Sequence, residues 1–173
     1  FDSIAGRVLS ANAYIGAFPL AEALDTGADV VIAGRATDVA LGMAPMIQRF
    51  GWRRNEWDKL ASGAVAGHLL ECGPQSTGGN SQVDWMTLPD LDEIGYPIVE
   101  AEPDGCFTLT KHPGTGGRVN SHIVKEQLLY EIFDPARYMT ADCVADFTTI
   151  HLKDAGPDRV RVYGVRGAPF PPD

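Results

Sequence analysis

The sequence predicts an α/β fold: a first half in which strands and helices alternate as β-α-β-α with the strands parallel, and an α+β second half of two hairpins and a helix, the strands forming a mixed sheet. Three observations predict it. Asp29-Val30-Val31-Ile32-Ala33 is a compact β-branched block without polar alternation, the mark of a strand buried on both faces. Apolar residues on either side of it recur at helical spacing. After residue 96, turns rich in Gly, Pro and Asp separate short runs with strand character. A chain of 173 residues, 45% apolar and 21% charged, has the composition of a folded domain.

Arg7–Ser10 is the first apolar run. Phe18, Leu20, Ala21 and Leu24 then mark a helix with Pro19 near its start, where a missing N–H costs little, and Gly27 ends it. The block 29–33 follows as the second strand, and Gly34-Arg35-Ala36-Thr37-Asp38 turns into a helix over Asp38–Phe50, with a kink expected at Pro45. A third helix runs from a cap near Asn55 to Cys72, where Gly73-Pro74 stops it. His68 and Glu71 fall on its apolar stripe beside Leu60, Ala61 and Ala64. Residues 73–96 read as a loop or boundary, so that 1–90 and 91–173 form two portions of what is expected to be the same domain. Pro97–Glu102 and Cys106–Thr110 make a hairpin across Pro103-Asp104-Gly105. A helix follows over Val119–Phe133, then a second hairpin of Cys143–Leu152 with Arg159–Val165.

Fourteen Lys and Arg against 23 Asp and Glu give a net charge of −9, which argues against nucleic acid or an anionic membrane surface as the main partner. Three widely spaced cysteines, 72, 106 and 143, suit a reducing cytoplasm better than a disulfide framework or a metal knuckle. No apolar run is long enough to cross a bilayer. The chain begins Phe1-Asp2-Ser3 without Met and stops just after a strand-like run, so a piece of a longer polypeptide, lacking an upstream segment, is the expectation.

Lys111 and Arg118 bracket Gly114-Thr115-Gly116-Gly117, the first cations after Lys59 and directly beyond a stretch, Asp84 to Asp104, that holds seven acids. Such a loop can aim several N–H groups and a helix N-terminus at one anion, with Lys111 adding charge and Thr115 a hydroxyl. It matches neither GxxxxGK[ST] nor GxGxxG, so no nucleotide site is read from it, and a plain strand-to-helix turn is the alternative. Arg35 lies where open α/β sheets bind ligands and can hold a carboxylate in a fork; Asp38 either caps the next helix or acts as a base. Asn12 and Tyr14 are expected along the same sheet edge. His68 with Glu71 could form an acid–base pair or give two ligands to a metal, against the alternative of a hydrogen-bonded core histidine; no third ligand with convincing spacing follows. Thr77, Gly78, Gly79 and Asn80 form a second candidate substrate loop, or a linker.

Taken together, the blocks Ser10-Ala11-Asn12-Ala13-Tyr14-Ile15-Gly16-Ala17-Phe18-Pro19, Gly27 to Asp38, Ala66-Gly67-His68-Leu69-Leu70-Glu71-Cys72-Gly73, Thr77 to Asn80, Gly114 to Gly117 and Glu126 to Ile132 resemble the acyclic terpene utilisation AtuA family over nearly the whole chain. His112-Pro113 departs from the family's usual residues after the loop lysine. The resemblance implies a role in catabolism of acyclic terpenes or branched-chain acids as CoA thioesters, and supplies no catalytic residues. The expected function is therefore an enzyme of acyl-CoA or carboxylate catabolism, a lyase or hydrolase by hydration, dehydration or thioester hydrolysis. Asp38, or His68 with Glu71, would move the proton, and Arg35 with the two Gly-rich loops would hold an anionic substrate. A homo-oligomer is expected, the cofactor is undetermined, and a CoA thioester is admitted as substrate. The alternative is a non-catalytic partner of a carboxylase or dehydrogenase system, with Trp52, Trp57 and Trp85 at the interface.

Overall fold

The computed structural model describes residues 2–171 except Asp84; Phe1, Pro172, Asp173 and Asp84, one of the seven acids noted above, lie outside the described residues. In chain order the elements are α1 (Asp2–Ala5), α2 (Ala17–Asp25), α3 (Asp38–Phe50), α4 (Trp57–Glu71), β1 (Pro97–Ala101), β2 (Phe107–Lys111), α5 (Ser121–Leu129), β3 (Tyr138–Met139), β4 (Val144–Asp146), β5 (His151–Asp154), β6 (Val160–Tyr163) and β7 (Arg166–Ala168). Helices and strands together make a mixed α/β fold. No helix among the described residues is long and apolar enough to cross a membrane.

Helix α4 is the centre. Leu60 to Leu69 are buried without a break, so the helix is enclosed on every side instead of along one stripe. Its Gly, Ala and Ser residues allow this by letting backbones approach. A Cβ on Gly67 would lie 2.3 Å from the Val39 carbonyl oxygen, and one on Gly42 would lie 2.9 Å from the Gly67 Cα. Gly63 faces Met43 in the same way. Partners that rise along α3 fall along α4, so the two helices run antiparallel. On another side, a Cβ on Gly167 of β7 would meet the Trp57 carbonyl oxygen at 2.0 Å. One apolar cluster joins Phe18, Met43 and Val65 to Phe107, Val144's neighbour Ala145, and Val162.

The strands form two sheets, one ordered β1-β2-β6-β5 and one ordered β3-β4-β7. Every pairing in them is antiparallel. The first hairpin forms as the sequence predicts, with Gly105 at φ 94° in its turn and the Asp104 carboxylate accepting from the Cys106 N–H at 2.9 Å. Arg159 and Arg161 reach across the sheet to Glu100 and Glu102 in forked pairs.

Three expectations are corrected. The parallel first half does not form: Arg7–Ser10 and Asp29–Ala33 are irregular, and the described residues of that half hold one parallel bridge, Ile15 with Ala36, which lies beyond both runs. An unbroken apolar run signals burial on both faces, but Val30 and Ile32 are 76% and 93% exposed, because no described element covers them. Without neighbours on both edges, a parallel strand has nothing to pair with. The sheets are likewise antiparallel rather than mixed. Finally, the long strand read over Cys143–Leu152 is broken at Phe147–Thr149 by a 3-10 turn, which the Asp146 carboxylate caps by accepting from the Thr148 N–H at 2.9 Å. Its first part joins β3 and β7, and only its last part makes the hairpin with β6.

Candidate functional site

The bridge between Ile15 and Ala36 sets the site. The Ile15 N–H donates to the Arg35 carbonyl at 3.1 Å, and the Thr37 N–H donates to the Ile15 carbonyl at 3.0 Å. Two segments distant in sequence are thereby clipped side by side, which places the Arg35 guanidinium 5.2 Å above the centre of the Tyr14 ring. That distance is within cation–π range. Beyond the clip, α2 and α3 begin, and the Asp142 carboxylate holds the first of them by accepting from the Ala17 N–H at 2.8 Å.

Between α2 and α3 lies a cavity of about 570 Å³. Leu20 and Leu24 come from α2, Leu41, Ala44 and Pro45 from α3, and Val31 and Ala33 from the irregular run between them. Pro45 has no N–H to give the Leu41 carbonyl, so one wall carries an acceptor without its helical donor. Arg35, Thr37 and Asp38 form the polar end. The Thr37 hydroxyl oxygen is buried and has no hydrogen-bond partner among the described residues. No carboxylate among them pairs with Arg35.

Asp38, exposed at the first turn of α3, also borders two smaller hollows. One, of about 400 Å³, runs over the bare backbone of Gly42 and Gly67 to Glu71. The other, of about 150 Å³, reaches Tyr14 and Tyr138. Burial, then the charges of Glu71 and Asp38, push the Tyr138 phenol above its ordinary value, so it is a neutral hydrogen-bond donor at neutral pH. No motif marks Tyr138 in the sequence. Leu20 and Leu24 are legible in the sequence only as helix-face residues.

The other candidates are placed differently. His68 is 3% exposed; its Nε2 donates to the Gln127 carbonyl at 2.9 Å, and its ring packs on Tyr138 and Phe147. Burial lowers its pKa. It lines none of the three hollows, whereas Glu71, three residues on, is exposed and does. Cys72 donates to the Glu71 carboxylate, and burial first, then that bond, raises the thiol to about 11, far from a thiolate at neutral pH. Asn12 is exposed and borders none of them.

The structure does bring the two Gly-rich loops together, and neither lines the Arg35 cavity. Thr77 is fully buried, its hydroxyl donating to the Gly95 carbonyl at 2.6 Å, and its own carbonyl accepts from the Arg118 N–H. Gly78, at φ 113°, packs on Leu88, Gly79 donates to the Pro74 carbonyl, and Asn80 is half-buried beside Gln82. Gly116 and Gly117 donate to the Glu93 and Pro89 carbonyls; Gly114 is exposed, and the Thr115 hydroxyl donates to the His112 carbonyl. Lys111, 7% exposed, donates to the Thr115 carbonyl at 2.6 Å and lies 3.4 Å from the Asp158 carboxylate. Asp158 also accepts from the Val119 N–H, and Asp154 accepts from the Ser121 N–H at the start of α5. The features read as an anion cradle thus meet two carboxylates of the same chain, Asp154 at the end of β5 and Asp158 in the β5–β6 turn. Among the described residues no group of three or more His, Cys, Asp and Glu side chains is arranged to hold a metal.

No curated protein and no solved structure matched the chain. The family model described as acyclic terpene utilisation family protein AtuA matches residues 1–173, the whole length. The chain belongs to the acyclic terpene utilisation AtuA family, and its role lies in the use of acyclic terpenes.

Proposed function

We propose that the chain binds an aliphatic carboxylate or acyl thioester of acyclic terpene type and performs acid–base chemistry on it in the hollow between α2 and α3. A single observation supports this: an unpaired guanidinium and an exposed carboxylate share the mouth of an apolar-walled cavity. Arg35, steadied on Tyr14, holds the anionic head, and Leu20, Leu24 and Leu41 take the branched tail. A cavity of this size is within the roughly 300–1,000 Å³ of ligand sites. Asp38 moves the proton, with Glu71 facing it across the glycine notch and Tyr138 as a neutral donor. The Thr77–Asn80 and Lys111–Gly117 loops serve as scaffold in this reading.

The test is binding and turnover of an acyclic monoterpenoid acid and its CoA thioester. Removing a charge-assisted contact costs about 1.5–3 kcal/mol, so Arg35→Ala weakens binding by roughly ten- to a hundredfold. Asp38→Asn keeps binding and loses turnover. Unchanged affinity in the first variant sinks the proposal.

A second reading, a docking partner of a larger enzyme, draws on Val30 and Ile32, whose exposure leaves an open edge. Of the tryptophans only Trp85 is exposed; Trp52 is buried and Trp57 packs against the core. A stoichiometric hetero-complex in native mass spectrometry of a cell extract, with no turnover, would favour this reading.

A further inference from the structure

A second cavity, about 540 Å³, lies on another face of the molecule, between α5, the turn at Phe147–Thr149 and the start of β5. Its walls are Leu128, Leu129, Phe147, Ile150 and Leu152, and its polar rim carries Lys125 and His151. No acid lines it. In a chain with 23 acids and 14 bases that is an uncommon patch. The acids adjacent in sequence to its lining residues are already engaged: Glu126 accepts from the Gln82 N–H at 2.9 Å and lies 3.8 Å from His122, Asp134 accepts from the Ala136 N–H at 3.0 Å, and Asp146 caps the Thr148 N–H. Lys125 has no hydrogen bond or ion pair among the described residues, in contrast to Lys111 and Lys59, each held by a carboxylate. His151 stacks on Tyr163 with ring centres 5.3 Å apart, which fixes it at the rim. Leu129 remains 72% exposed, an apolar side chain awaiting cover.

An apolar trough with a free ammonium at one edge, in an otherwise acidic surface, selects an amphiphile with one negative head. We propose that this groove is a second ligand site, distinct from the hollow at Arg35, which binds a medium-chain aliphatic monocarboxylate with its head on Lys125 and its chain along Leu128, Leu129, Ile150 and Leu152. Nothing in this assignment depends on the reading of the Arg35 cavity.

The probe is decanoate, titrated calorimetrically into the full chain carrying Arg35→Ala, so that the first cavity contributes no carboxylate contact. Saturable binding of one decanoate per chain is expected. Hexanoate should bind more weakly by about fourfold for each methylene no longer buried. Lys125→Glu on that background should weaken decanoate about tenfold or more while leaving decanol unchanged, and Leu129→Asp should weaken both. Both substitutions are on exposed side chains and leave the fold intact, as circular dichroism would check. Absence of saturable binding overturns the proposal. So does binding that Lys125→Glu fails to move, and so does a groove closed by a second copy of the chain, seen as a sedimentation coefficient that Leu129→Asp lowers while decanoate has no effect.

Discussion

Gly16 has no room for a side chain, because a Cβ there would lie 2.3 Å from a carboxylate oxygen of Asp142. Its φ of −86° suits any residue, so the glycine is required by proximity and not by backbone strain. Asp142, 9% exposed, answers the free N–H at the start of α2 from far along the chain and so ties the Tyr14–Ala17 segment to the β3–β4 turn. Burial pushes its carboxyl above the ordinary 3.8, outweighing the amides of Ala17 and Phe18 that hold it down. A group whose folded value is raised contributes its stability in full below the unfolded value and loses it as pH climbs through the folded one. Urea denaturation from about pH 3.5 to neutrality should therefore show the stability of the wild type minus that of Asp142→Asn shrinking with pH and then levelling. Glu100 and Glu102, held below their usual range by Arg159 and Arg161, give the opposite slope in both proteins and cancel in the difference. A difference that widened with pH would mean that the amides win over burial.

Among the elements, the α3–α4 pair decides the shape of the candidate site, since its glycine contacts leave the open notch between Asp38 and Glu71. Replacing a mid-helix glycine by alanine normally stabilises a helix by about 1 kcal/mol. At Gly67 the added methyl would meet the Val39 carbonyl and Cα, both backbone, which cannot swing aside. Gly67→Ala should thus destabilise by about 1–3 kcal/mol, the range for overpacking, against its helical propensity. At Gly63 the nearest atom belongs to the flexible Met43 side chain, and Gly63→Ala should be milder. Thermal denaturation of the two variants side by side tests the order; an equal effect would show that the helices can separate freely. The same elements mark what could be read in the sequence. Helix α3 falls on Asp38–Phe50 as its periodicity predicts, and α4 is displaced by a residue or two at its ends. Local patterns suffice where the signal and the partner lie in one helix or one hairpin. They fail for Val30–Ile32, whose apolar character announces a neighbour without supplying one. They fail too for β3, β4 and β7, short strands of which β4 and β7 pack on α4 while β3 pairs with β4. In the site, Arg35 and Asp38 were legible from their place after an apolar run. Tyr138 was not, since only tertiary packing brings it to Tyr14 and Asp38. Lys111 was legible as a cation at a glycine-rich turn, but the carboxylate that meets it, Asp158, comes from the β5–β6 turn, whose partners only the tertiary fold reveals.

For the whole molecule the question is whether residues 1–90 and 91–173 could stand apart. Helix α4 belongs to the first portion, yet its start is clasped by the second. The Asp58 carboxylate accepts from the Gly167 N–H at 2.9 Å and pairs with Arg166 at 2.7 Å, while Gly167 lies against Trp57 and Ala61 without a side chain between. The Trp52 indole N–H donates to the Pro103 carbonyl at 3.0 Å, and the Ser62 hydroxyl donates to the Gly105 carbonyl, so the first hairpin's turn rests on α4 as well. Removing residues 91–173 would expose the face of α4 that holds Leu60, Ala61, Ala64 and Val65, all fully buried. At about 25 cal/mol for each Å² of apolar surface returned to water, a few hundred Å² amounts to several kcal/mol, comparable to the whole stability of a domain this size. Residues 1–90 expressed alone should then show no cooperative thermal transition, and the entire chain should show one, by calorimetry and by circular dichroism alike. Two separate transitions in the entire chain, or a folded first portion, would mean that the shared cluster around α4 adds little to what each portion achieves by itself.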